Sequence, residues 1–165
     1  DEELERQQTT SKKIANPVII QNSAGPIQIT IGERNRNVVV VDTQSSDAQT
    51  YPLRIDFVNT GSGFPITFDQ AGRPDSGRLK GTINLNGPGV EFSDCLGATT
   101  GRTVELDNTD IPTRIRADGS VSRSCIITIN KDIWRDKTQD TISLTFNIFY
   151  TYYTTASTTA TVFGR

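Results

Sequence analysis

The sequence predicts an all-β fold, and three observations do so. Side chains alternate apolar and polar with a period of two, turn residues recur every few positions, and apolar content is low. Hydrophobic residues make up 34% of the 165 residues, which suits sheets whose wet faces carry Thr, Ser and Asn. A chain of this length forms one domain and buries a true core. Short strands separated by Gly, Pro, Asn and Asp turns point to a β-sandwich or a small barrel, with about eight to ten strands.

Residues 1–13 (DEELERQQTTSKK) are polar, with Leu4 their lone aliphatic side chain. One apolar residue cannot dock a helix, so this is a solvated arm or a segment that orders only against a partner. Residues 14–165 read as a single β domain. Val18 and Ile20 open the period of two, and Ile27, Ile29 and Ile31 continue it. After a turn at Asn35-Arg36-Asn37, the four valines at 38–41 predict a strand buried on both faces. Leu53, Ile55 and Phe57 alternate with Arg54 and Asp56, and the pattern resumes at Phe64, Ile66 and Phe68 beyond Gly61-Ser62-Gly63. These two runs predict a hairpin.

Residues 69–77 read as a loop, and 82–86 as a short strand ended by Gly87-Pro88-Gly89. Val90 and Phe92 lead to Cys95, and residues 103–106 and 125–129 are further strands. Only residues 131–139 carry helical potential, as a single turn or loop around Trp134. The last long strand is predicted over 141–153, with Ile142, Leu144, Phe146, Ile148, Tyr150 and Tyr152 on the core face and Tyr153 pointing outward. Ala156, Thr158, Ala160 and Val162 repeat the period once more.

Several classes of chemistry are disfavoured. The net charge is -2 and the pI about 5.1, so no basic field draws nucleic acid or an anionic membrane. No apolar run approaches the roughly 20 residues of a membrane-spanning helix, and no membrane insertion is expected. The chain contains no histidine, which removes the usual general base, the Ser-His-Asp and Cys-His arrangements and most zinc sites. Paired carboxylates need a rigid wall, whereas Asp69, Asp75, Asp107, Asp110 and Asp118 fall in predicted turns. The chain is therefore expected not to be an enzyme, and to hold no cofactor or metal. Residues 107–110 read as an Asx-rich turn rather than a calcium loop.

Cys95 and Cys125 are the only cysteines and are expected to form a disulfide. The bridge would close a loop of about 30 residues poor in core-forming side chains, contributing roughly 3 to 4 kcal/mol. A structural disulfide belongs to an oxidising compartment. The chain starts at Asp1 and has no Met, so removal of an upstream secretory leader is expected. No asparagine sits in a glycosylation sequon, which favours a bacterial periplasm or cell surface. Arg73, Arg78 and Lys80, with Arg114, Arg116 and Arg123, form a basic patch for an anionic glycan if their loops converge. Otherwise they are solvated edges whose charge discourages aggregation.

A Thr- and Asn-rich all-β chain of this length, with one disulfide and neither His nor Met, resembles the subunits of bacterial chaperone-usher fimbriae. The resemblance lies in composition and strand pattern over most of the chain. It implies an immunoglobulin-like Greek-key sandwich lacking one strand, completed by an extended segment of a neighbouring subunit whose alternate side chains enter a groove. Ile14, Val18 and Ile20 are the candidate donor residues, interrupted by Asn16, and residues 156–162 are the alternative. The partners implied are other subunits and a periplasmic chaperone, and the location is the bacterial surface. Two other roles fit an all-β domain. One is an adhesin or lectin-like module whose loops 69–77 and 97–119 recognise a host glycan or protein. The other is a virion structural protein whose polar arm orders on assembly.

Overall fold

In the computed structural model the two longest strands, β2 (Gln49–Asn59) and β8 (Ser120–Ile129), lie side by side and organise the rest. The structure describes residues 21–31, 41–44, 48–97, 101–107, 112–115, 119–138 and 140–162. Leu53, Ile55 and Phe57 of β2 and Cys125, Ile127 and Ile129 of β8 are buried. Between them stand outward residues such as Arg54 and Ser124. A strict period of two thus gives each strand one dry face. β1 (Ile27–Ile31) and β6 (Val90–Cys95) flank this pair, and the four form an antiparallel sheet in the order β1-β2-β8-β6.

Six further strands form two three-stranded sheets. They are β3 (Phe64–Phe68), β4 (Pro74–Ser76), β5 (Lys80–Asn86), β7 (Thr103–Glu105), β9 (Ser143–Phe149) and β10 (Thr151–Tyr153). β7-β5-β9 is one sheet and β10-β3-β4 the other, both antiparallel. Ile83 and Leu85 of β5 and Val104 of β7 join the dry face of the first sheet in one apolar core. Phe57 meets Phe146 of β9 edge to face, with ring centroids 6.2 Å apart. The one helical turn, α1 (Lys131–Trp134), is capped by the Asn130 side chain. Trp134 Nε1–H donates to the Pro88 carbonyl at 2.8 Å, tying the turn to the Gly87-Pro88-Gly89 corner.

Cys95 and Cys125 form the expected disulfide, between directly paired residues of β6 and β8 with Cα atoms 4.3 Å apart. Both are buried in the core. The segment they enclose is richer in core residues than its composition suggests, because Leu96, Val104, Leu106 and Ile115 are all buried with them.

Four expectations change. β2 and β3 do not pair: β2 lies between β1 and β8, while β3 lies between β10 and β4. The face of β3 is also inverted, for Pro65 and Thr67 are buried while Phe68 is half exposed. The loop at 69–77 contains β4, whose Pro74, Asp75 and Ser76 pair with β3. The long final strand breaks at Tyr150, because β9 pairs with β5 and β10 crosses to β3. Residues 156–162 repeat the alternation but lie in no strand and are exposed. The arm at 1–13 and the valine run at 38–40 lie outside the described residues.

Replacing both cysteines with Ala is expected to lower stability by about 3 kcal/mol. Because the enclosed segment shares the main core, urea unfolding followed by Trp134 fluorescence and by circular dichroism should show coincident transitions. Two separate transitions would mean that the segment folds by itself.

Candidate functional site: an unguarded strand edge

β9 is satisfied on one edge only. It pairs with β5 from Phe149↔Lys80 to Ser143↔Asn86, and among the described residues no strand lies on its other edge. Its inward residues Leu144, Phe146 and Ile148, with Ile142 and Tyr150, pack against the core yet remain only partly buried. Ile83 and Leu85 on the neighbouring β5 are 0% and 1% exposed. The same apolar layer is therefore covered over β5 and left open over β9.

The edge also lacks the usual protection. Sheet edges are commonly blunted by charge or proline, which stops them templating another strand. β6 carries Glu91 and Asp94, β7 carries Glu105, and β4 carries Pro74 and Asp75. β9 has none of these, and residues 141–162 contain no charged side chain at all.

β1 is the other uncharged edge strand of the main sheet. Its outer backbone groups are occupied by side chains. The Asn22 amide accepts from Ile29 N–H at 2.8 Å and donates to the Ile29 carbonyl at 2.9 Å. The Ile27 N–H donates to Tyr150 Oη at 3.4 Å, so the edges of β1 and β9 come together at Tyr150.

Tyr152 fastens the same end. Its hydroxyl donates to Asn59 Oδ1 and accepts from Gly63 N–H, each at 2.9 Å, while Asn59 Nδ2 donates to the Gly63 carbonyl at 2.8 Å. The turn that reads as a hairpin in the sequence is this cradle. A Cβ on Gly61 would stand 2.2 Å from Tyr152 Oη, and one on Gly63 would stand 2.0 Å from the Tyr153 carbonyl oxygen.

Of the residues singled out from sequence, Ile14, Val18, Ile20 and Arg116 lie outside the described residues. Four cations do converge, around three carboxylates. Arg73 pairs with Asp69 at 2.7 Å, Arg78 with Asp75 and Asp107, Lys80 with Asp107 at 3.7 Å, and Arg114 with Asp75. The Arg114 side chain donates through Nη2 to Asp75 Oδ2 at 3.1 Å, and this contact, followed by the Arg78 contact, holds the Asp75 carboxyl below the usual carboxylate range. Four positive charges against three negative leave an excess of one, so the patch is largely neutralised from within. Arg123 stands apart on β8 and donates to the Pro112 carbonyl at 2.6 Å. No group of three or more His, Cys, Asp or Glu side chains is placed to hold a metal among the described residues. No helix among them is long and apolar enough to cross a membrane.

A scan of protein-family models, a search of curated proteins and a search of solved structures each found no match for this chain. The partial burial of β9 has no counterpart in its alternation, which is as regular as that of a fully covered strand. The sequence signal that does mark it is the run of uncharged residues at 141–162.

Tyr152→Phe should lower stability by about 1 kcal/mol, read from urea unfolding, with Gly63 N–H gaining faster hydrogen exchange. Asp75 is depressed in the folded chain, so its contribution is complete above the unfolded value near 3.9 and is lost as pH falls through the lower folded value. The stability difference between wild type and Asp75→Asn should therefore narrow from about pH 5 to about pH 2. A constant difference across that range would show that Asp75 does not sense its arginines.

Proposed function

We propose that the chain is a structural subunit of a bacterial surface fibre, of the kind its composition resembles in chaperone-usher fimbriae, and that it joins its neighbours by β-strand addition. In this reading the sheets form an immunoglobulin-like sandwich short of one strand. The observation that carries the proposal is the unguarded outer edge of β9 above partly buried Leu144, Phe146 and Ile148.

The chemistry of that edge selects its occupant. Free N–H and C=O groups on a strand are matched along their length only by another extended backbone. Partly covered apolar side chains below them reward an entering strand whose alternate residues are aliphatic, at roughly 25 cal/mol for each Å² removed from water. Ile14, Val18 and Ile20 supply that spacing, with Asn16 at the intervening position of the series. Residues 156–162, extended in sequence pattern and exposed, are the less apolar donor.

An edge of this kind is an aggregation hazard before assembly. A periplasmic chaperone would therefore cover β9 until a neighbouring subunit replaces it. The disulfide between β6 and β8 suits the oxidising compartment in which such covering takes place. Partner subunits, a chaperone and a surface location all belong to this one proposal. It requires neither catalysis nor a cofactor.

A synthetic peptide of residues 13–21 added to the chain lacking residues 1–20 should protect the backbone amides of β9 from hydrogen exchange and raise its thermal midpoint. A peptide of the same length with Ile14, Val18 and Ile20 replaced by Ser should do neither. Equal protection by both peptides, or by neither, would overturn donor binding by this segment.

A further inference from the structure

The inverted face of β3 turns aromatic side chains outward. β3 and β10 pair as Tyr153↔Phe64 and Thr151↔Ile66, and directly opposed residues of an antiparallel pair share a face. One further step of that register sets Phe149 opposite Phe68. Lys80 supports the placement: it is the β5 partner of Phe149, and its Nζ donates to the Phe68 carbonyl at 2.8 Å. Phe64, Ile66, Phe68, Phe149 and Tyr153 therefore line one outward face. Phe68 is 51%, Phe149 68% and Tyr153 48% exposed. Isolated apolar residues on a surface are ordinary, but a contiguous aromatic stripe marks a contact site.

We propose that this face is a lateral contact between two copies of the chain, packed face to face as sheet on sheet. The surrounding charges decide the partner. Asp69 with Arg73, Asp75 with Arg114, and Asp107 with Lys80 are ion pairs around this region. An apolar centre with a paired polar rim is the anatomy of a protein interface. It offers little free charge to an anionic glycan, a nucleic acid or an acidic membrane. Balanced on itself, it meets an identical face without like-charge conflict, as an isologous contact requires. Phe64 and Tyr153 are already stacked, with centroids 5.3 Å apart, so ordering them on contact costs little.

Size sets the strength. Three strands about 4.8 Å apart and some five residues long cover a few hundred Å², below the roughly 800 Å² per partner of a standard interface. The contact is weak between two free chains. Between adjacent fibres, where this inference rests on the strand-addition reading, many such contacts act together and the association becomes strong.

The full chain tests this, with the surface variant Phe68→Ser/Phe149→Ser beside it. Sedimentation equilibrium of wild type should show concentration-dependent dimers, with NMR line broadening centred on Phe68, Phe149 and Tyr153. The double variant should need at least about tenfold higher concentration for the same association, the effect of losing roughly 1.4 kcal/mol. Thermal unfolding of the variant within a few degrees of wild type shows that the fold is kept. Equal association of variant and wild type, or a wild type that stays monomeric at millimolar concentration, overturns the contact. Binding of dextran or laminarin that the variant loses would make the face a sugar platform and also overturn it. Exchange protection of β9 by the 13–21 peptide reads the groove separately: if that fails while the variant still loses association, the lateral contact stands and the strand-addition reading falls.

Discussion

From Ile142 to Tyr153 one stretch of chain serves two sheets, and most of the molecule's surface chemistry follows from that constraint. Up to Phe149 the strand is hydrogen-bonded to β5; past Tyr150 it belongs to β3. Its even-numbered side chains face the core throughout, from Ile142 to Tyr152, and the odd-numbered ones face water. The outward set changes character along the way, from Ser143, Thr145 and Asn147 over one sheet to Phe149 and Tyr153 over the other. A single strand therefore carries an open edge in one half and part of an aromatic face in the other.

Charge is used sparingly elsewhere to hold irregular backbone. Asp69 accepts from the Ala71 and Arg73 backbone N–H groups at 2.9 and 2.8 Å, which shapes the corner between β3 and β4. Asp75, on the short β4, gathers Arg78 and Arg114, whose residues also form a bridge between distant parts of the chain. These cations are expensive to leave unpaired where they are partly buried, so the acids beside them are first of all structural partners.

How much of this was legible in the sequence follows from how local each signal is. Strict alternation in β2, β8 and β9 reports the dry face of each strand directly, so Ile55, Phe57, Ile127 and Phe146 point where their spacing says. The disulfide was legible because only two cysteines exist to form it. Pairing partners were not, because nearness in sequence favours a hairpin between β2 and β3. The turn between them instead closes around Tyr152, contributed from about ninety residues away. The parity of β3 was misleading for a related reason. Phe64, Ile66 and Phe68 read as core, yet the buried positions are taken by Pro65 and Thr67, and nothing in five residues tells which face a sheet will cover. The openness of β9 depends on what does not pack there, which alternation alone cannot register.

The side-chain amide of Asn22 holds both outward backbone groups of Ile29. It thus stands in for one residue of a neighbouring strand, supplying one donor and one acceptor at the spacing a peptide group would. Unlike a strand, it is released by rotation about its own two side-chain bonds, with no ladder to unzip. The edge of β1 is in this sense stoppered rather than sealed: its polar groups are satisfied while the chain is alone, and a single rotamer change returns them to whatever backbone arrives.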